Sequence, residues 1–380
     1  LDILPYSKDH HEFRNRLCAY LAREVVPYAD QWEKDRIVPR EAWREMGRQG
    51  FLCTSVSKEY GGLGGDFLYS FIVTEEMIRS GNYGLMAPLH SDIIVPYIDS
   101  YGSESLKRKF LPGCVRGNTV TAIAMTEPGA GSDLAGMQTT AVETKGDVTI
   151  DGSKTFISNG INADLIIVAA RDPEEKNPYQ AISLYLLEAD TPGFKRGRHL
   201  DKMGLNSQDT AELFFSGCRI PVENRLGEKG NGFLMLMEKL QQERLITAIM
   251  AMAAAERILE ETIDFCKKPS PSGRPPVKSQ ATQFALVEMA TDVKLGRTFV
   301  EKLTAEHARG ENVIIETSMA KYWTTEMVKR TADRCLDFFG DLGMTAACPI
   351  ERAFRDVRVM SIFAGTNEIM KGIAAKFMGL

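Results

Sequence analysis

Apolar residues recur at helical spacing over both ends of the chain and at strand spacing through its middle. "HEFRNRLCAYLAREVVPYADQWEK", "PREAWREMGRQG" and "FLYSFIVTEEMIRS" carry period-3.6 patterning within residues 1–117, with Pro39 placed near a helix start. From 118 to 225 the texture becomes β-rich: "ADLIIVAAR", "AISLYLLEAD" and "TAELFFSGCRIP" follow at regular intervals. "GDVTIDGSKTFIS" reads as two short strands around Asp151-Gly152, a hairpin dipeptide. From 226 to 380 long helical segments return, over 231–267, 281–308, 313–340 and the final "NEIMKGIAAKFMGL". Two of these are joined by the proline-rich "KKPSPSGRPPVKSQ", which favours an extended loop. The order is a helical domain, a small, mostly antiparallel β domain, and a helical bundle.

One position breaks the pattern. Stepping by threes and fours from Leu236 through Leu240 lands on Glu243, then on Thr247, Met250 and Ala254, so a carboxylate interrupts an apolar stripe. Three readings are open from the pattern alone: an ion pair with Arg244 or another basic residue, a solvated edge of the stripe, or a base facing a ligand.

Composition narrows the classes. The 380 residues exceed one core of ordinary size, and the 44% hydrophobic and 26% charged shares are those of a soluble globular protein. A net charge of −5 without long single-sign runs gives no footprint for nucleic acid or an anionic membrane. No run approaches a membrane span, and the first residues do not read as a signal peptide, so a cytosolic or matrix-like compartment is expected. Seven scattered cysteines without C-x-x-C, and five histidines without H-x-x-x-H spacing, predict packed thiols and no protein-held metal. The glycines of "VSKEYGGLGGDF" do not satisfy G-x-G-x-x-G and follow no strand, so a dinucleotide fold is excluded on spacing and context.

"AMTEPGAGSD" (124–133) follows a short β run and forms a tight loop able to offer N–H groups and hydroxyls to a polar ligand. Together with "EYGGLGG" (59–65), "GSKTFISNG" (152–160), "KMGLNSQDTAELFF" (202–215), "QQERL" (241–245), "ERAFRDVRV" (351–359) and "AGTNEIM" (364–370), it makes the chain resemble the acyl-CoA dehydrogenase family over essentially its whole length. The resemblance implies an α+β fold with an N-terminal helical domain, a middle antiparallel β domain and a C-terminal four-helix bundle. It also implies FAD as cofactor, an acyl-CoA substrate, an electron-transfer flavoprotein as electron acceptor, and a homotetramer.

Carried over by position, Met125, Thr126, Ser132, Phe156, Ile157, Ser158, Gln280, Thr366 and Glu368 would contact FAD, and Ser132, Leu234, Arg244 and Gly365 would contact the substrate. Most relatives place the catalytic base just before the G-T near the C-terminus, where this chain has Ala364; a smaller branch, including long-chain and isovaleryl enzymes, places it at the position of Glu243. On that likeness Glu243 is the expected base, with the Ala364 N–H left to polarise the thioester carbonyl. Three departures stand out. Pro269 replaces an arginine that relatives offer to a neighbouring subunit's FAD, Asp337 and Asp341 fall near the expected pyrophosphate half, and Asp92 falls where relatives shape the acyl pocket. Asp92 supports an alternative, 1,4-dehydrogenation of a cyclic enoyl-CoA with Asp92 as base. A catalytically silent scaffold is the other alternative, and an oxygen-using oxidase would share the fold.

Overall fold

The computed structural model describes residues 3–269 and 273–380. The N-terminal helices are α1 (Lys8–Glu24), α2 (Ala29–Asp35), α3 (Arg40–Arg48), α4 (Phe67–Arg79), α5 (Val95–Tyr101) and α6 (Glu104–Val115). Ser7 opens α1 with a reciprocal capping box to His10. The helical pattern over 11–34 is cut in two by a 3₁₀ turn, Val26–Tyr28, because Pro27 has no N–H to continue the ladder. In the glycine-rich loop before α4, a Cβ on Gly62 would lie 2.0 Å from the Val56 carbonyl oxygen, so two backbone segments touch there. Leu89–Ile94 winds as a π-helix that runs directly into α5.

The middle region is one sheet: β1 (Thr121–Ala124), β2 (Thr140–Glu143), β3 (Asp147–Ser158), β4 (Leu165–Arg171), β5 (Ile182–Glu188), β6 (Phe194–His199), β7 (Thr210–Pro221) and β8 (Arg225–Leu226). Its order is β6-β7-β3-β2-β4-β5-β8, with β1 parallel to β4. Most pairings are antiparallel, as expected; besides β1–β4, β2 and β4 share one parallel bridge. The hairpin at Asp151-Gly152 is a correction: β3 is one continuous strand with a bulge between Ile150 and Gly152, and the turn falls at 144–147, where Gly146 takes a φ of +97°. Gly152 is required because a Cβ would lie 2.7 Å from the Thr139 Cα.

β4 is buried along nearly its whole length because both faces are covered. Leu165, Ile167 and Ala169 join the core of the N-terminal helices, and Ile166, Val168 and Ala170 join the core of the sheet, as the two-residue period requires.

The C-terminal helices are α7 (Gly232–Lys267), α8 (Gln280–Ala308), α9 (Ile314–Phe338), α10 (Glu351–Asp356) and α11 (Asn367–Met378). The 36-residue α7 belongs to two cores. Met235 and Leu236 pack with the N-terminal helices and the sheet, whereas Leu245 onward packs with α8, α9 and α4. The residues between them, 240–244, therefore lie at a seam between two apolar cores. Among the described residues no helix is long and apolar enough to cross a membrane.

Candidate active site

Glu243 sits at that seam. It is half-buried, and among the described residues no side chain forms an ion pair or hydrogen bond with its carboxylate. The ion-pair reading therefore finds no partner. Arg244 is buried and turns instead toward Ser318 Oγ, at 3.5 Å. Burial raises the Glu243 carboxyl to about 7, against the opposing pull of Arg244 and Lys321.

α9 and the residues before α11 close one side. Ala364 has a φ of +55° and Gly365 of +84°, and the Thr366 hydroxyl caps α11 by accepting the Ile369 N–H at 3.3 Å. Lys321 of α9 is fully buried and donates to the Gly365 carbonyl at 2.6 Å and to Asn367 Oδ1 at 3.2 Å. Sequence reading passed over Lys321, yet the signal resembled that of Glu243: a charge between Thr317, Ala320, Thr324 and Val328 on the buried face of a helix.

Asp92 lies in the π-helical turn, 3% exposed, with both carboxyl oxygens lacking a hydrogen-bond partner. Burial raises it to about 7; the nearby Ser70 hydroxyl favours the charged form but makes no hydrogen bond of acceptable geometry. Its backbone is fixed from α7, where Gln242 Nε2 donates to the Asp92 carbonyl at 2.6 Å. His307 is pushed down by burial to about 4 and stays neutral, donating from Nε2 to Gln242 and accepting at Nδ1 from Gln241. The residue beside Glu243 thus ties α8 and α7 to Asp92.

The two loops of the sheet are tied together independently. The buried Lys154 of β3 donates to the Met125 carbonyl at 2.9 Å and to Glu127 Oε1 at 2.8 Å. Glu127 also accepts the N–H groups of Gln138 and Thr139. Burial opposes charge on Glu127, but these hydrogen bonds outweigh it and hold the carboxyl below its usual range; burial also draws Lys154 down to about 8 despite Glu127. The Thr155 N–H donates to the Thr126 carbonyl at 2.9 Å. Phe156 follows in the left-handed region at φ +56° with 66% of its surface exposed. An aromatic ring held outward in a costly conformation, beside half-buried Met125, Thr126 and Ser158, suits a flat heteroaromatic ligand such as a flavin. Open space at the Cβ positions of Gly129 and Gly131 lets a ligand approach the loop backbone near exposed Ser132. The Ile157 side chain is in the sheet core, so only its main chain is available.

Other positions singled out from sequence lie outside this buried cluster. Gln280 is exposed at the first residue of α8, Leu234 is exposed on the first turn of α7, and Glu368 is exposed on the first turn of α11. The Glu368 carboxyl is held below its usual range by its own N–H and the Thr366 hydroxyl. Pro269 is exposed just beyond α7, and Asp337 and Asp341 are exposed at the end of α9 and in the following 3₁₀ turn.

Comparison with known proteins assigns the architecture. Family models for the N-terminal, middle and C-terminal domains of acyl-CoA dehydrogenase match residues 7–118, 122–218 and 230–379. The chain is 40% identical over 372 residues to the mitochondrial long-chain specific acyl-CoA dehydrogenase of Rattus norvegicus, covering 98% of this chain and 86% of that protein. It is 33% identical over 360 residues to an acyl-CoA dehydrogenase of Bacillus subtilis (strain 168), covering 94% and 95%. The crystal structure of an acyl-CoA dehydrogenase from Geobacillus kaustophilus superposes with a TM-score of 0.97 at 49% identity, over 99% of both chains. A glutaryl-coenzyme A dehydrogenase in complex with glutaryl-CoA superposes at 0.93 with 31% identity, over 99% of this chain and 96% of that one. This chain belongs to the acyl-CoA dehydrogenase family and is an FAD-dependent oxidoreductase of acyl-CoA thioesters.

Proposed function

We propose that the chain dehydrogenates a saturated acyl-CoA across its α,β-bond with Glu243 as general base. The observation that carries this is an unpaired carboxylate at the seam of two cores, held near pH 7 by burial. A base with a pKa near the working pH is poised both to take and to release a proton. Ionised Glu243 accepts the α-proton of the thioester at a carboxylate oxygen. The Ala364 N–H, in a loop fixed by Lys321 and Thr366, donates to the thioester oxygen as charge develops there. The chemistry that FAD would supply, when bound, is that of a hydride acceptor for the β-carbon. Met125, Thr126, Phe156, Ser158 and Thr366 would hold FAD, Gln280 would meet that of a neighbouring subunit in a homotetramer, and Ser132, Leu234, Arg244 and Gly365 would hold the acyl-CoA. Likeness to the long-chain specific enzyme makes a straight long-chain acyl group the first substrate to test, with an electron-transfer flavoprotein as electron acceptor.

Asp92 supports a second reading because a buried acid with two unpartnered oxygens can also serve as a base. Removal of a remote proton from a cyclic enoyl-CoA by Asp92 would give a conjugated diene. Anaerobic bleaching of the bound flavin by straight, branched and cyclic acyl-CoA thioesters separates the two. Bleaching by saturated straight chains is expected; bleaching by cyclic enoyl thioesters alone moves the chemistry to Asp92.

A further inference from the structure

Lys321 is an unusual means of holding a loop. A buried ammonium costs more than a neutral donor unless it is fully paired, and burial draws this one down to about 8. Its two hydrogen bonds go to Gly365, directly after Ala364, and to Asn367; the left-handed backbone of Ala364 is costly for a non-glycine residue and persists only where the surroundings fix it. Asn367 is held to α9 a second time by the Thr325 hydroxyl at 3.1 Å and by donating to the Tyr322 carbonyl at 3.3 Å. A neutral side chain would satisfy the Gly365 carbonyl as well. What only a cation adds is its field at the neighbouring carboxylate.

The charged and titratable groups around the pair are few. Glu243 is faced by Arg244 on its own helix, by Lys321 from α9 and by the buried Tyr97 hydroxyl from α5. Lys321 is faced by Glu243 and Arg244 from α7, Glu368 from α11 and Lys329 on its own helix. Arg244 donates toward Ser318, whereas Lys321 donates to the loop that carries Ala364.

We propose that Lys321 is a positioning residue of the dehydrogenation: its ammonium fixes the Ala364 N–H through Gly365 and Asn367 while facing Glu243 from α9. The inference rests on Glu243 being the base. It couples the two halves of the chemistry, because one ammonium holds the oxygen-binding donor and tunes the proton acceptor.

The test compares wild type, Lys321→Arg, Lys321→Gln and Lys321→Met as FAD-loaded proteins. The rate of anaerobic flavin reduction by a saturated acyl-CoA is followed against pH. Its acid limb should move up by about one pH unit in the Gln and Met variants, while Arg keeps it in place. The limiting rate in Met should fall by roughly a hundredfold with little change in the substrate concentration for half-saturation, as for loss of an oxyanion donor. A difference infrared titration of the Glu243 carboxyl band, assigned by its disappearance in Glu243→Gln, reads the same shift without turnover in the Gln variant should Met not fold. An unmoved limb and band in Lys321→Gln, or equal movement in Lys321→Arg, overturns the proposal. If Glu243→Gln is inactive while Lys321→Gln leaves limb and band unmoved, the base assignment stands and this inference alone fails. Full flavin reduction in Glu243→Gln overturns both.

Discussion

Replacing Glu243 by Gln should stabilise the protein at alkaline pH, and the size of the effect follows from burial. The folded carboxyl titrates at about 7 against an ordinary value of 4.5. The folded state therefore holds its proton to higher pH than the unfolded chain, and the stability associated with that proton is present at low pH and lost as pH rises from about 4.5 through 7. The full difference is about 3 kcal/mol at 1.36 kcal/mol per unit, of which about 2.5 kcal/mol falls between pH 5 and 8. Glutamine mimics the neutral acid and carries no such penalty. Scanning calorimetry of both proteins at matched protein and FAD concentrations should show a Gln-minus-wild-type difference in Tm that grows by a few degrees from pH 5 to pH 8. A pH-independent difference, or a Gln variant less stable than wild type at pH 8 by as much as at pH 5, would refute the claim that burial outweighs the neighbouring cations and raises the Glu243 carboxyl.

Four further outcomes follow from the same geometry. Wild-type flavin reduction should rise with pH through about 7 as Glu243 ionises, read from single-turnover rates. Asp92→Asn should gain stability at pH 8 for the same reason as Glu243→Gln, since its carboxyl rises from 3.8 to about 7, and should leave turnover of saturated substrates unchanged. Lys154→Met leaves Glu127 buried without its cation, which costs about 3–5 kcal/mol; the purified protein should carry less FAD and recover Tm only partly with added FAD. Gly62→Ala drives a methyl into the Val56 carbonyl and should cost roughly 1–3 kcal/mol, measured as a lower Tm with the flavin spectrum retained.

Glu243 was legible in the sequence because a helix repeats its environment every three or four residues, so one acid among apolar positions stands out. The α, β, α order was legible for the same reason, since long helices and alternating strands each repeat a simple period. Local dipeptides were less informative. Asp151-Gly152 has the composition of a turn, but Gly152 is there because the Thr139 backbone crosses above it, a tertiary contact that no local pattern encodes. The π-helical turn that buries Asp92 is equally silent, because it buries the polar His90, Ser91 and Asp92 alongside Ile94, and no local pattern marks polar residues for burial. Lys321 is less distinct than Glu243, because its long stem lets lysine reach solvent from many helix positions; packing of α9 against both α7 and α11 buries it. Ile157 shows the converse: alternation places its side chain in the sheet, so a neighbour of Phe156 in sequence presents only its backbone to the loop.

The central claim is that Glu243 takes the proton. Stopped-flow reduction of the bound flavin by a saturated straight-chain acyl-CoA, anaerobically at pH 8, compares wild type, Glu243→Gln and Asp92→Asn. Loss of roughly a hundredfold or more in Glu243→Gln, with undiminished flavin content and a wild-type rate in Asp92→Asn, is the predicted result. A wild-type rate in Glu243→Gln would contradict the account, and loss confined to Asp92→Asn would place the base in the π-helical turn instead.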